Sequence, residues 1–434
     1  LSVNKRGFVN KKNVKFRIIV ALVLSKSTDI LLSAKTTLPT LLNTLGAPSW
    51  MLGLLVPLRE SGSLLPQALM SGWLMSKNSR RLPWVVSMLT QAFFIAIMIF
   101  VPLLVLPLFM DQASRGYALS IGLLVLVALT GLSLARAMTS LTMKDIQAGH
   151  LDKGKRGNVV GIASTAAGVL SLLFGAFTLL SGKMDEQVIL IIAVLCIVAM
   201  LVSVLTLKNL ETKVEGVCCG EDNTITKNLS AAKIKSYIDT FSGQLGLFIL
   251  VRSCFVHTAL IAPFYIVWAS SLSSQKGLIT LSSFIIAQAT ASILSSYTWG
   301  TLSDHNAKLT MQLGALMVLL VCLATVIIIQ FELAQSIHSI WFVVGYFLIS
   351  VGHNGARSGR KIYALDVKEG SDRTDFIGKT NTSIGAVVLV LGAFYAALTL
   401  AGNLILFLVI ALGLIIGLLL SVSMKNEKSN MKNL

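Results

Sequence analysis

The chain has 434 residues, 55% of them hydrophobic and only 13% charged, with a mean hydropathy of +0.80. Soluble domains carry about 25% charged residues, so the composition excludes a soluble globular protein and marks a polytopic membrane protein. The net charge of +17 does not make a nucleic-acid binder, because the basic residues sit mostly in short loops between apolar runs, with no basic domain carrying interleaved aromatics.

A helix needs about 20 mainly apolar residues to cross the hydrocarbon core. Continuous apolar runs predict twelve such helices, at 17–43, 50–74, 83–109, 116–143, 157–181, 187–208, 242–269, 277–300, 311–331, 338–358, 376–400 and 402–423. The runs do not alternate, which favours helices over a barrel. A basic tail (1–16) precedes the first; no small-residue cleavage site follows it, so the run reads as an uncleaved span. The polar segment 209–241 reads as a cytoplasmic linker between two six-helix bundles, 17–208 and 242–423, and 424–434 as a cytoplasmic tail. With both termini in the cytoplasm, the cytoplasmic segments hold 28 Lys and Arg, the opposite side 3 and the spans 5. That asymmetry fits both termini inside.

The first two spans carry Lys26, Asp29, Lys35, Arg59 and Glu60. Each charge at mid-membrane costs at least roughly 2.5 kcal/mol, so such groups usually face a protein interior or a watery cavity. Lys26 and Asp29 lie about 60° apart on a helix and share a face, whereas Lys35 points away and reads as turned toward an outer vestibule. Arg136, Arg252 and His257 add polar groups in spans four and seven. Of the five cysteines, Cys196, Cys254 and Cys322 read as buried packing residues, and Cys218 and Cys219 lack partners for a metal site.

The halves repeat. Shifts of about 221–228 residues lay Lys26-Ser over Arg252-Ser, Gly72-x-Leu over Gly300-x-Leu, and Ala135-Arg136 with Asp145 over Ala356-Arg357 with Asp366. Gly161, Gly168 and Gly175 recur as Gly378, Gly385 and Gly392 in span eleven. The glycines put small residues on one helix face, and tight packing inside each half is expected of them, with some sliding as the halves rock. Parallel repeats of this kind are a transporter plan.

With its 6+6 repeat and a Gly-x-Leu loop after spans two and eight, the chain resembles the major facilitator superfamily. The resemblance implies an all-α fold of two pseudo-symmetric six-helix bundles. It also implies gate loops on the cytoplasmic side, carried here by Gly72, Arg80 and Arg81 and by Gly300, Asp304 and Lys308, with Arg357 or Lys361 as partners for Asp304. Ser76 replaces the first loop's acid. Spans one and seven line the central cavity in that family, so the resemblance implies that Lys26 and Arg252 face each other there.

More cations than carboxylates lie within the spans, which suits an anionic group. The expected function is secondary active transport of a small organic anion or zwitterion, with Lys26, Arg59, Arg136 and Arg252 as substrate ligands. Asp29, Glu60 and His257 are the candidates for proton coupling. Lys26 with Asp29, and Arg59 with Glu60, also read as neutralised pairs that hold helices in register. His257 also reads as a packing residue. The alternative is a non-transporting scaffold of the same fold. No phosphate-binding loop, paired metal ligands or nucleophile cluster suggests an enzyme or a cofactor. The expected partners are a small-molecule substrate, the lipid bilayer and protons, with the protein a monomer in a bacterial inner membrane.

Overall fold

The computed structural model describes residues 11–67, 70, 73–74, 79–109, 115–151, 156–207, 243–272, 280–366 and 370–424. The expected linker 209–241, Gly72 and Ser76 of the first gate loop, Cys218 and Cys219 lie outside the described residues.

The first apolar run does not make one helix. It forms α1 (Lys11–Leu31) and α2 (Thr37–Thr44) with a turn between. Although α1 already ends at Leu31, Pro39 bars a continuous helix from Lys35 onward, since its ring has no N–H and clashes with the carbonyl four residues back. It is tolerated in the first turn of α2, where no intrahelical donor is needed. Freed backbone groups find local partners. Thr37 Oγ1 donates to the Leu31 carbonyl, the Lys35 N–H donates to Ser33 Oγ at 3.1 Å, and the Leu38 N–H donates to the Ser33 carbonyl at 3.1 Å. The seventh run, by contrast, stays one span through α8 (Gly243–Phe255) and α9 (His257–Ser271), because Val256 between them keeps right-handed helical geometry at φ −58° and ψ −30°.

The other runs form α3 (Leu52–Leu64), α4 (Arg81–Phe100), α5 (Arg115–His150), α6 (Arg156–Leu180), α7 (Asp185–Leu207), α10 (Leu281–His305), α11 (Ala307–Gln330), α12 (Ile340–Asp366), α13 (Gly370–Leu398) and α14 (Asn403–Val422). A π-turn over Val101–Val105, holding Pro102, extends α4. Eight helical segments among the described residues are long and apolar enough to cross a membrane. The runs that fall short are those of α1–α2, α3, α10 and α12. Three of them carry the intramembrane charges, and α10 is rich in Ser, Thr and Gln. Together these helices line the central cavity; α3 falls short by length, at 13 residues.

Packing repeats between the halves. In the first bundle α1 packs on α6 and α7, α4 on α5 and α7, and α3 on α5. In the second, α8 packs on α13 and α14, α11 on α12 and α14, and α10 on α12. Each pair has its counterpart under the repeat. This is an all-α membrane protein of two pseudo-symmetric bundles.

Two seams join the bundles, α6 against α10 and α3 against α13. The sevenfold glycines lie in these seams, which corrects the expectation that they pack inside each half. A Cβ on Gly168 would stand 2.9 Å from Ile293 Cγ1, and one on Gly175 2.8 Å from Ile286 Cγ1. On the other seam, a Cβ on Gly385 would meet Leu65 Cγ at 3.0 Å and one on Gly392 would meet Pro57 Cγ at 2.3 Å. The repeat maps Gly168–Ile293 onto Gly385–Leu65. The α6–α10 seam is closed toward the start of α10, where the Leu281 N–H donates to Asp185 at 3.0 Å and Ser282 Oγ donates to Thr178 Oγ1 at 2.9 Å. At the other end, a Cβ on Gly161 or Gly300 meets nothing within 4 Å among the described residues.

Candidate functional site

The cavity between the bundles takes shape from the interruption in span one. Because the chain leaves helical geometry after Leu31, Lys35 no longer follows the α1 rotation. It lines the cavity beside Asp29 and Ser33, which corrects the outer-vestibule reading. Arg59, Glu60 and Ser63 of α3 and Arg136 of α5 join from the first bundle, and Gln288 of α10 and Arg357 of α12 from the second. The space measures about 200 Å³. A second compartment of about 140 Å³ shares Asp29, Lys35, Gln288 and Arg357 with it and continues along α9, α10 and α12. A third, of about 260 Å³, runs past Lys26, Asp29, Arg136 and Lys144.

Asp29 is the hub of the ion pairs. It accepts from Arg59 Nη2 at 3.2 Å and also pairs with Arg136. The expected Lys26–Asp29 and Arg59–Glu60 pairs do not form. Lys26 instead donates to Ser164 Oγ and, at 3.0 Å, to the Val160 carbonyl of α6. Glu60 has no ion pair among the described residues; it stands in the field of Lys35, Arg59, Arg357 and Arg360. The cations outnumber the two carboxylates and are incompletely satisfied. Arg59 Nη1, Arg252 Nε and Arg360 Nε are buried without a hydrogen-bond partner in the described structure.

Lys26 and Arg252 do not face each other across one cavity, contrary to what the resemblance implies. Arg252 Nη2 donates to Asn381 Oδ1 at 2.9 Å and lines a separate space of about 20 Å³ with Glu60, His353 and Arg360. That space is large enough for about one water. The two residues are nonetheless equivalent: the glycine register aligns Ser164 with Asn381, so each cation of a first span is tied to the fifth span of its own bundle. The symmetric pair that shares the central cavity is Arg136 and Arg357. The repeat had matched these two residues, but the gate-loop assignment put Arg357 in the cytoplasm. In fact α12 continues to Asp366 and carries Arg357, Arg360 and Lys361 on its helix. Arg357 lines the cavity, and Arg360 lines the small space beside Glu60.

His257 is buried and closely packed. Its Nδ1 pairs with the Cys254 carbonyl at 2.6 Å, its ring meets Tyr395 edge-on at 5.5 Å, and a Cβ on Gly413 would stand 2.6 Å from it. Sequence reasoning missed His353, which is buried on α12, pairs with Thr258 Oγ1 at 3.1 Å and borders two of the compartments. It also missed Gln288, although the shift of 228 that aligns Gly72 with Gly300 puts Gln288 opposite Glu60.

The gate positions behave differently from the resemblance. Arg80 pairs with Asp145 at 2.7 Å and donates to the Leu74 carbonyl, both within the first bundle. Its counterpart Lys308 donates to the Val422 carbonyl at 2.9 Å and the Met424 carbonyl at 2.5 Å. Arg81 and Asp304 are exposed, and among the described residues Asp304 makes no ion pair with Arg357 or Lys361.

No family model and no curated protein matches the sequence. Solved structures do match over nearly the whole chain. A nucleoside transporter aligns with a TM-score of 0.65 at 12% identity, covering 95% of this chain and 99% of its own. A D-xylose–proton symporter gives 0.64 at 12%, covering 97% and 99%. A bacterial homologue of the iron transporter ferroportin in an inward-facing state gives 0.63 at 15%, covering 94% and 98%. The chain therefore has the fold of the major facilitator superfamily transporters.

Proposed function

We propose that the protein is a secondary active transporter that moves a small organic anion by alternating access between its two bundles. The carrying observation is the cationic central cavity. Asp29 is already shared between Arg59 and Arg136, Arg357 faces the cavity with no ion pair among the described residues, and Arg59 Nη1 has no partner. A desolvated guanidinium nitrogen without a partner, as Arg59 Nη1 is, is costly, and a carboxylate or phosphate supplies paired acceptors in matching geometry to it and to the exposed Arg357. Lys26 and Lys144 along the adjoining compartment would raise the local anion concentration on the way in. A scaffold has no use for stranded intramembrane cations, so these groups support transport over an assembly role.

Protons are the proposed coupling ion, with Glu60 as their carrier. A bound anion and Glu60 compete for the same cations, so a proton on Glu60 removes the competition and favours the anion. Both termini and the expected linker are placed in the cytoplasm of a bacterial inner-membrane monomer, which puts the Gly161–Gly300 end of the seam on the cytoplasmic side.

Purified protein in detergent tests the reading, since a ligand that binds the folded state raises its apparent stability. Organic anions are expected to raise the melting temperature and cations of similar size to leave it unchanged. Arg136→Gln and Arg357→Gln are each expected to weaken anion binding by roughly 10-fold or more, as lost charged hydrogen bonds do. Stabilisation by cationic or neutral lipophilic compounds alone, unaffected by either substitution, refutes the reading.

A further inference from the structure

The second compartment differs in chemistry from the first. Besides Asp29, Lys35, His353 and Arg357, its wall carries neutral polar groups: Gln288, Tyr346 and Asn354 lie within a polar patch that also holds Thr258 and Ser350. These groups are tied to each other and to their surroundings, which fixes their directions. Tyr346 Oη donates to Gln288 Oε1 at 3.3 Å, Gln288 Nε2 donates to Ser33 Oγ at 3.5 Å, and Asn354 Nδ2 donates to Ser295 Oγ at 3.1 Å.

Valence counting shows what is left over. Each amide nitrogen has a second N–H and Asn354 Oδ1 has its lone pairs, while the Tyr346 oxygen is also bonded by Ser350. The result is a short row of donors and acceptors in alternation, with no charge of its own. A hydroxyl both donates and accepts at a single atom, so a solute bearing several of them matches this row. A bare alkyl chain would leave the row unpaired, at a cost for each group that loses its water.

We infer that the transported solute is a polyhydroxylated organic anion. Its charge sits between Arg136 and Arg357, and its hydroxyls are held by Gln288, Tyr346 and Asn354. The inference rests on the anion reading above and narrows it. The two compartments, of about 200 Å³ and about 140 Å³, share Asp29, Lys35, Gln288 and Arg357 in their walls, and on this inference one small molecule reaches across both. Carboxylate and phosphate share the required charge, and sugar acids and sugar phosphates both carry the hydroxyls.

The test uses the full-length protein and four probes: gluconate, glucose 6-phosphate, hexanoate and glucose. Thermal stabilisation titrations give an apparent affinity for each. The expected result is that gluconate or glucose 6-phosphate binds at least roughly 10-fold tighter than hexanoate, in line with the penalty for unpaired polar groups, and that glucose binds weakest. Preference between the two hydroxylated anions identifies carboxylate or phosphate as the natural charge. Asn354→Ala should collapse the gluconate-to-hexanoate ratio. Hexanoate binding as tightly as gluconate overturns the hydroxyl subsite and leaves the anion reading standing. Glucose binding as tightly as gluconate, or no binding by any probe, overturns both. The wild-type ratio decides the matter even if the variant does not fold.

Discussion

Asp29 holds two guanidiniums at once, and its surroundings set what its loss would cost. Replacing it by Asn keeps the shape and removes the charge, leaving Arg59 and Arg136 facing each other. A fully dry pair broken in this way costs about 3–5 kcal/mol. Here the Asp29 side chain retains 21% exposure and Arg136 32%, so water offsets part of the loss and a destabilisation on the order of 2 kcal/mol is expected. Denaturant or thermal melts in detergent measure it. The double variant Asp29→Asn with Arg59→Gln should recover part of that loss, because it removes one of the stranded charges. If the double variant is no more stable than the single one, Arg59 does not depend on Asp29 and the hub description fails.

At the scale of helices, the glycine seams decide which end of the molecule is closed. Gly392→Leu places a Cβ 2.3 Å from Pro57 Cγ and Gly168→Leu one 2.9 Å from Ile293 Cγ1. Overpacking a tight contact costs typically about 1–3 kcal/mol, and the cost falls only on the state in which that seam is shut. Either substitution should therefore shift the population toward the opposite state, seen as faster thiol labelling of Ser33→Cys from the side that is closed here. Gly161→Leu, where a Cβ meets nothing within 4 Å, should leave labelling unchanged. Equal effects at Gly161 and Gly392 would contradict the seam assignment.

These glycines also mark a limit of what the sequence shows. Spacing of seven identifies a face that something approaches closely, but the partner helix is set by tertiary packing, and here it belongs to the other bundle. The direction of Lys35 escapes the sequence for a related reason: helical rotation predicts direction only while the helix continues, and α1 ends at Leu31. Arg357 was misplaced because a charged helix end looks like a loop to hydropathy, although the repeat had already matched it to Arg136. The long apolar runs were legible, since a bilayer forces each spanning segment to satisfy its backbone internally.

Taken as a whole, the molecule is a near-symmetric frame with two carboxylates that lack a counterpart, Asp29 falling opposite Phe255 and Glu60 opposite Gln288. The repeat relates Lys26–Ser164 to Arg252–Asn381, Arg136 to Arg357, and one seam to the other. Glu60 breaks the relation, because the equivalent place holds the neutral isostere Gln288, and both line the same cavity. A proton carrier on one bundle alone suffices if that carrier and the substrate contend for shared cations, which Arg357 and Lys35 supply. Glu60→Gln should then abolish anion uptake driven by a pH gradient while sparing exchange of anion for anion, since the cations remain. Placing the carboxylate on the other wall, as Glu60→Gln with Gln288→Glu, returns a titratable group to the same cavity at the symmetric position. Part of the pH-driven uptake should return in that double variant, measured in proteoliposomes with an imposed gradient. Driven uptake that survives Glu60→Gln intact would remove Glu60 from the coupling role. Failure of the double variant alone would mean that coupling depends on which bundle carries the acid, and that the symmetry of the frame does not extend to its proton.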